Sequence, residues 1–182
     1  MMIVTLNSLP KTLEELKAMF EANSTKPEEV AALTVIALSL YPNNPQESEK
    51  MLDYLRGPRP LNGIDKQFIK DRFRGKDYLM RSYFVGSSPD NNYQVKEPYQ
   101  IEINENNNSR VQFNEGYLTL YITCSGADSP RPLKLRNKAS TGEWFLWEQQ
   151  LLTGIKVPKE EDPWAWFKNV LAKTRTFFYL SI

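Results

Sequence analysis

The order of residue patterns predicts an α+β fold: an N-terminal helical layer of about four helices packed on a curved antiparallel sheet, plus a C-terminal helix. Three observations carry this prediction. Capped segments with apolar residues at three- and four-residue spacing occupy the chain from about residue 10 to 76. From about residue 78 to 152 short aromatic and β-branched runs follow, separated by "SSPDNN", "NENNNS" and "NKASTGE". A last helical pattern then runs from about 162 to 174. At 182 residues the chain has the length of one domain, expected to span 1–182.

The helices announce their own beginnings. "TLEELKAMF" opens on Thr12 as N-cap with Glu15 three residues later, and Leu13, Leu16, Met19 and Phe20 share a face. "STKPEEVAALTVIALSLY" repeats the device with Thr25 and Glu28 and places Pro27 in the first turn. Its stretch Val30 to Leu40 is apolar nearly all round, as expected of the buried centre of the helical layer. A third helix starts at Asn44, turns Met51, Leu52 and Leu55 inward and stops at Gly57 before Pro58. The fourth runs from about Ile64 to Arg74 and ends at Gly75.

The strand candidates are "YLMRSYF", "YQIEI", "RVQFNEGYLTLYITC", "RPLKLRN" and "EWFLWEQQL". Alternation is clearest around Leu118, Leu120 and Ile122, with Tyr117, Thr119 and Tyr121 on the other face. Asp162 and Pro163 then cap the last helix, and "TFFYLSI" is the pattern of a returning strand.

Composition removes whole classes of function. The 23 basic and 22 acidic side chains leave a net charge of +1, which argues against wholesale nucleic-acid or membrane-surface binding. A single cysteine, Cys124, forms no internal disulfide and no multi-thiolate zinc site. With no histidine there are no histidine triads, imidazole ligands or ordinary general base near neutral pH. That lowers the case for an enzyme, and no cofactor motif is present. The first 20 residues lack the pattern of a signal peptide, and the 11-residue "VAALTVIALSL" is too short to span a bilayer, so a cytoplasmic protein is expected.

Five groups of residues invite a functional reading, each beside a plainer one. Lys66, Lys70 and Arg74 stand at i, i+4 and i+8, forming a basic stripe over the 66–76 helix. Interleaved acids and the absence of a nucleic-acid motif favour a solvated face anchored by Phe68 and Phe73. Arg56 and Arg59 in "LRGPRP" can present two guanidiniums on a rigid loop, although Gly57 and Pro58 also stand where a helix stop requires them. Asp90 and Asp128 can serve as an acid–base pair or hold a hard cation, yet aspartate and serine beside proline more often make turns. Cys124 and Ser125 lack a histidine partner, and Cys124 reads as a small core residue. Trp144 and Trp147, three apart, face opposite sides of a strand, while Trp164, Trp166 and "FFYL" either close the core or form a dimer or partner surface.

The blocks "AALTVIALSLYP", "MLDYLRGPRPL", "QFIKDRF", "RSYFVGSSPDNNY", "SGADSPRPLKLR", "GEWFLWEQ" and "EDPWA" resemble an uncharacterised bacterial family, a domain of unknown function. The resemblance covers about Ser8 to Ala165 and implies a small bacterial domain; it transfers no site.

The expected function is a non-catalytic cytoplasmic interaction or ligand-binding module for a small anionic ligand or an acidic partner segment. Its candidate residues are Arg56, Arg59, Asp128, Arg131, Arg136 and Trp147, with a homodimer through the C-terminal aromatics left open. Two alternatives stand beside it. One is a hydrolase-type enzyme that gathers Asp90, Asp128 and Glu148 in a polar pocket. The other is weak nucleic-acid binding through the basic helix.

Overall fold

The computed structural model describes residues 1–165. Four helices precede most of a five-stranded antiparallel sheet, as the α+β pattern requires. They are α1 (Leu13–Asn23), α2 (Pro27–Ser39), α3 (Pro45–Arg56) and α4 (Gly63–Phe73). The strands are β1 (Met2–Leu6), β2 (Tyr99–Asn104), β3 (Tyr117–Ile122), β4 (Arg131–Lys138) and β5 (Glu143–Gln149), in the spatial order β1-β2-β3-β4-β5.

Three helix starts follow from their caps. Thr12 Oγ1 accepts from Glu15 N at 3.3 Å, Asn44 Oδ1 from Glu47 N at 3.2 Å, and Asn62 Oδ1 from Asp65 N at 2.9 Å. Each satisfies a backbone donor that has no partner within its own helix. The cap of α2 departs from expectation: Lys26, not Thr25, is the N-cap and offers no side-chain bond. The cause is Pro27. Its ring favours the first helical position and forces the preceding residue to be extended, so the boundary falls at Lys26 and Glu28 stands one place too early for a capping box.

Helix α2 is the centre of the core. Every residue from Val30 to Leu38 is buried, and the helix packs on α1, α3 and strands β1, β3, β4 and β5. Ser48 Oγ donates to Ala37 O at 2.7 Å, fastening α3 to α2 inside the apolar layer. Facing them are Ile101, Ile103, Leu118, Leu120, Ile122, Leu133, Leu135 and Leu146, all buried. Each such side chain contributes about 1.5–3 kcal/mol over its exposed state.

Several expected strands are reassigned. "YLMRSYF" forms a 3-10 turn at Leu79–Tyr83, because Leu79, Met80, Ser82 and Tyr83 are all buried and Ser82 Oγ closes onto Leu79 O at 2.5 Å. Burial on every side needs turning backbone, not alternation. Residues 110–116 are also turns, and only Tyr117 onward is strand. Conversely, "MIVTL" is an edge strand, with Val4 and Leu6 inward and Val4 paired to Ile101. Phe68, expected as an anchor of α4, is 39% exposed; Ile69 and Phe73 anchor that helix instead, the latter stacked on Tyr41 at 4.9 Å. A helical turn begins at 163–165. The rest of the expected C-terminal helix, Trp166 and "TFFYLSI" lie outside the described residues. No helix among the described residues is long and apolar enough to cross a membrane.

Candidate functional site

Strand β5 positions the site through an irregularity. Lys134 pairs with Glu148 and Leu135 with Leu146, which leaves Trp147 as an extra residue without an opposite number in β4. Such a bulge bends the strand and re-aims the extra side chain. Trp144, before the bulge, is buried in the core; Trp147 lies on the other face, where its ring meets Tyr117 edge-on at 5.2 Å. The expected division of the two tryptophans is therefore observed. Trp147 is only half-exposed, since an arginine covers it.

That arginine is Arg59. Helix α3 ends at Gly57, whose φ of 60° and ψ of −120° favour glycine, and Pro58 follows. Arg56 Nε donates to Arg59 O at 2.8 Å, and its Nη2 reaches Asp65 Oδ2 at 3.5 Å. Asp53 accepts from Leu61 N at 2.7 Å. Held at both ends, the loop lays the Arg59 guanidinium 3.7 Å from the centroid of Trp147. On the far side of the aromatic pair, Arg136 sits 4.4 Å from the centroid of Tyr117 and donates to Glu115 O. The result is a ladder across the outer face of the sheet: Arg59, Trp147, Tyr117, Arg136. Lys134 adds a second cation over Tyr117 at 5.2 Å.

Two cavities flank this ladder, and Arg59 and Trp147 line both. One, of about 450 Å³, is lined by Arg56, Gly57, Pro58, Arg59, Arg136, Asn137, Lys138, Phe145, Leu146 and Trp147, with no carboxylate among them. The other, of about 320 Å³, reaches down to Leu38 and Leu52 and carries Asp65 and Glu148. The Arg59–Trp147 stack thus stands between a cationic chamber and one that contains acids. Neither Arg59 nor Arg136 pairs with a carboxylate among the described residues. Arg56 is committed to Asp65, and Lys138 to Glu143 at 3.3 Å.

The structure divides the surface that the sequence joined. Arg56, Arg59, Arg136 and Trp147 come together; Asp128 and Arg131 do not line either cavity. Arg131 and Arg136 stand five positions apart in β4, about 17 Å along a strand, and an odd spacing turns them to opposite faces. Arg131 Nη2 donates to Gly154 O at 2.8 Å, while its Nε is enclosed without an acceptor among the described residues. Asp128 pairs with Lys156 at 2.7 Å, which holds its carboxyl below the usual aspartate range although the side chain is 90% exposed. Gly126 O accepts from Lys156 N at 2.8 Å, and Tyr93 Oη donates to Lys156 O at 2.7 Å. "SGADSPRP" is therefore docked along residues 154–156 through Gly126, Asp128 and Arg131, while Ser125 bonds to Ser82 O and Ser87 Oγ.

The remaining candidates are also placed. Asp90 is exposed and pairs with Lys159 at 3.1 Å, so Asp90, Asp128 and Glu148 occupy three different surroundings. On α4, Lys66 pairs with Glu49 at 3.1 Å, a bond that raises its pKa. Arg74, just past that helix, pairs with Asp71 at 3.1 Å, whereas Lys70 is exposed. Cys124 is buried against Ser82 Oγ at 3.2 Å, as expected of a core residue. Trp164 is 74% exposed. Tyr117 is the residue that sequence reasoning missed; its outward face was legible, but its place between Trp147 and Arg136 depends on the register of β3 with β4.

A family model described as a domain of unknown function (DUF6935) matches residues 8–159, and the chain belongs to that family. No curated protein and no solved structure matches it.

Proposed function

We propose that this member of the family is a cytoplasmic, non-catalytic binding module that takes an anionic group at Arg59 and Arg136. One observation carries the proposal: both guanidiniums border the same 450 Å³ cavity, are stacked on aromatic rings, and have no carboxylate partner among the described residues. A stacked guanidinium keeps its edge donors in the plane of the fork, so holding it flat on Trp147 pre-orients it for an anion. The volume lies within the range of ligand sites.

The plainer account of the ladder is that it glues the 56–59 loop to the sheet. The two accounts differ in what added anions do. Titration with sodium acetate or inorganic phosphate, followed by the indole N–H resonance of Trp147 in ¹H–¹⁵N spectra, is expected to give a saturable shift. Arg59→Ala or Arg136→Ala is expected to abolish it. A resonance that moves only with ionic strength, equally in wild type and variants, leaves the ladder a structural device.

A further inference from the structure

The lining of the larger cavity points to a ligand class, an inference that rests on the anion-binding reading above. We infer that its ligand is an amphipathic monocarboxylate: one planar carboxylate attached to an apolar body of about ring size. The uncharged part of the lining, Asn137 apart, is Gly57, Pro58, Phe145, Leu146 and Trp147, which offers no side-chain hydrogen-bond partner except the Trp147 indole N–H. The same lining carries four cations, of which Arg56 and Lys138 are already paired. Asn137 is also spent, its Nδ2 donating to Gly142 O at 3.1 Å. Free recognition capacity is thus the Arg59 fork and those donors of Arg136 that Glu115 O does not take, beside an apolar lining.

That capacity favours a carboxylate over a polyanion. Parallel N–H donors of a guanidinium match the two oxygens of a carboxylate, and a body without charge buries apolar surface on Phe145 and Trp147. A second anionic group would have to lie against the apolar residues of the lining, where an unpaired charge is costly. It could not escape across the Arg59–Trp147 partition either, because the far chamber carries Asp65 and Glu148. The charge step across Trp147 therefore orients the ligand as well as selecting it.

Isothermal titration calorimetry of the full chain with 3-phenylpropionate, 3-phenylpropionamide, acetate and inorganic phosphate tests this. The acid is expected to bind at least about tenfold more tightly than acetate or phosphate, the worth of burying a ring-sized body. The amide is expected to lose about tenfold, and Arg59→Ala likewise, whereas Arg72→Ala on α4 changes nothing. Circular dichroism confirms that each variant is folded. If phosphate or acetate binds as tightly as 3-phenylpropionate, the anion site stands and the ligand class is overturned. If the amide binds as tightly as the acid, or if no compound binds, both are overturned. A Gly-Gly-Phe peptide with a free carboxyl distinguishes the source of the group. Preference for the peptide marks a chain terminus and preference for the free acid marks a small molecule, and either outcome upholds the class.

Discussion

Gly57 lies flat against the ring of Phe145, so that a β-carbon on Gly57 would fall 2.7 Å from Phe145 Cδ1. The contact ties the end of α3 to the outer face of β5 and sets where Arg59 begins its reach. Gly57 also holds a φ of 60°, which a residue with a β-carbon adopts only under strain. Gly57→Ala is therefore expected to cost about 2–4 kcal/mol from clash and backbone strain together. Urea unfolding measures it. A cost below about 0.5 kcal/mol would show that the loop settles elsewhere without loss.

The Arg59–Trp147 stack makes a separate prediction. Trp147→Ala removes the partition between the two cavities and should destabilise the chain by about 2–4 kcal/mol, the cost of a large side chain lost from a partly collapsible site. Arg59→Ala removes only an exposed cation over a ring and should cost about 0.5–1 kcal/mol. A double-mutant cycle gives the coupling. A value near zero means that the guanidinium rests on the ring without holding it.

Acid stability depends on the fastening between α3 and α1. Leu13 N donates to Glu47 Oε1 at 2.7 Å and Lys50 lies 3.2 Å from Oε2, which together lower the pKa of Glu47 below its ordinary value of 4.5. Since the native pKa is the depressed one, this contribution is present above the unfolded value and is lost as pH falls through the native value. Asp128 and Glu143 are lowered as well, so they act in the same direction. The chain has no histidine, which leaves no imidazole to titrate between about pH 5 and 8. The thermal midpoint should be flat from about pH 8 to 5.5 and decline below about pH 4.5. Glu47→Gln should lower the midpoint at neutral pH and make the acid decline shallower. An unchanged slope would assign the decline to other carboxylates.

What the sequence made legible follows the range of the interactions involved. Helices α1 and α3 could be read because their caps are local: Thr12 and Asn44 reach donors three residues away. Helix α4 was read from its pattern and the stop at Gly75, while its equally local cap, Asn62, went unread. The outward face of β3 was equally plain from alternation. Strand β1 escaped because "MIVTL" is defined by β2, about 100 residues later, and has no turn signal of its own. "YLMRSYF" misled because its aromatic content mimics a strand, and its burial on all sides is a tertiary fact. Arg56, Arg59, Arg136 and Trp147 were each singled out by type, yet their convergence rests on the meander order and the bulge at Trp147. Asp128 and Arg131 were joined to them by nearness in sequence, which a strand converts into distance.

Gly126 separates stability from binding. A β-carbon there would collide with the Tyr93 hydroxyl and fall 2.7 Å from Ile155 Cγ2. Tyr93 cannot yield easily, since its Oη is bonded to Lys156 O and its ring is stacked on Tyr78 at 5.6 Å. Burial also keeps the Tyr93 phenol neutral well beyond the ordinary range, as a donor to that carbonyl requires. Gly126→Ala is thus expected to destabilise by about 1–3 kcal/mol, as overpacking does. Asp128→Asn, which removes an exposed pair with Lys156, should lower the thermal midpoint at neutral pH only slightly. Neither residue lines the cavities beside Trp147, so both variants, measured where they remain folded, should bind 3-phenylpropionate as wild type does. If Asp128→Asn alters that affinity while Gly126→Ala does not, the "SGADSPRP" segment acts on the site through charge. The ligand would then have to be sought on both surfaces together.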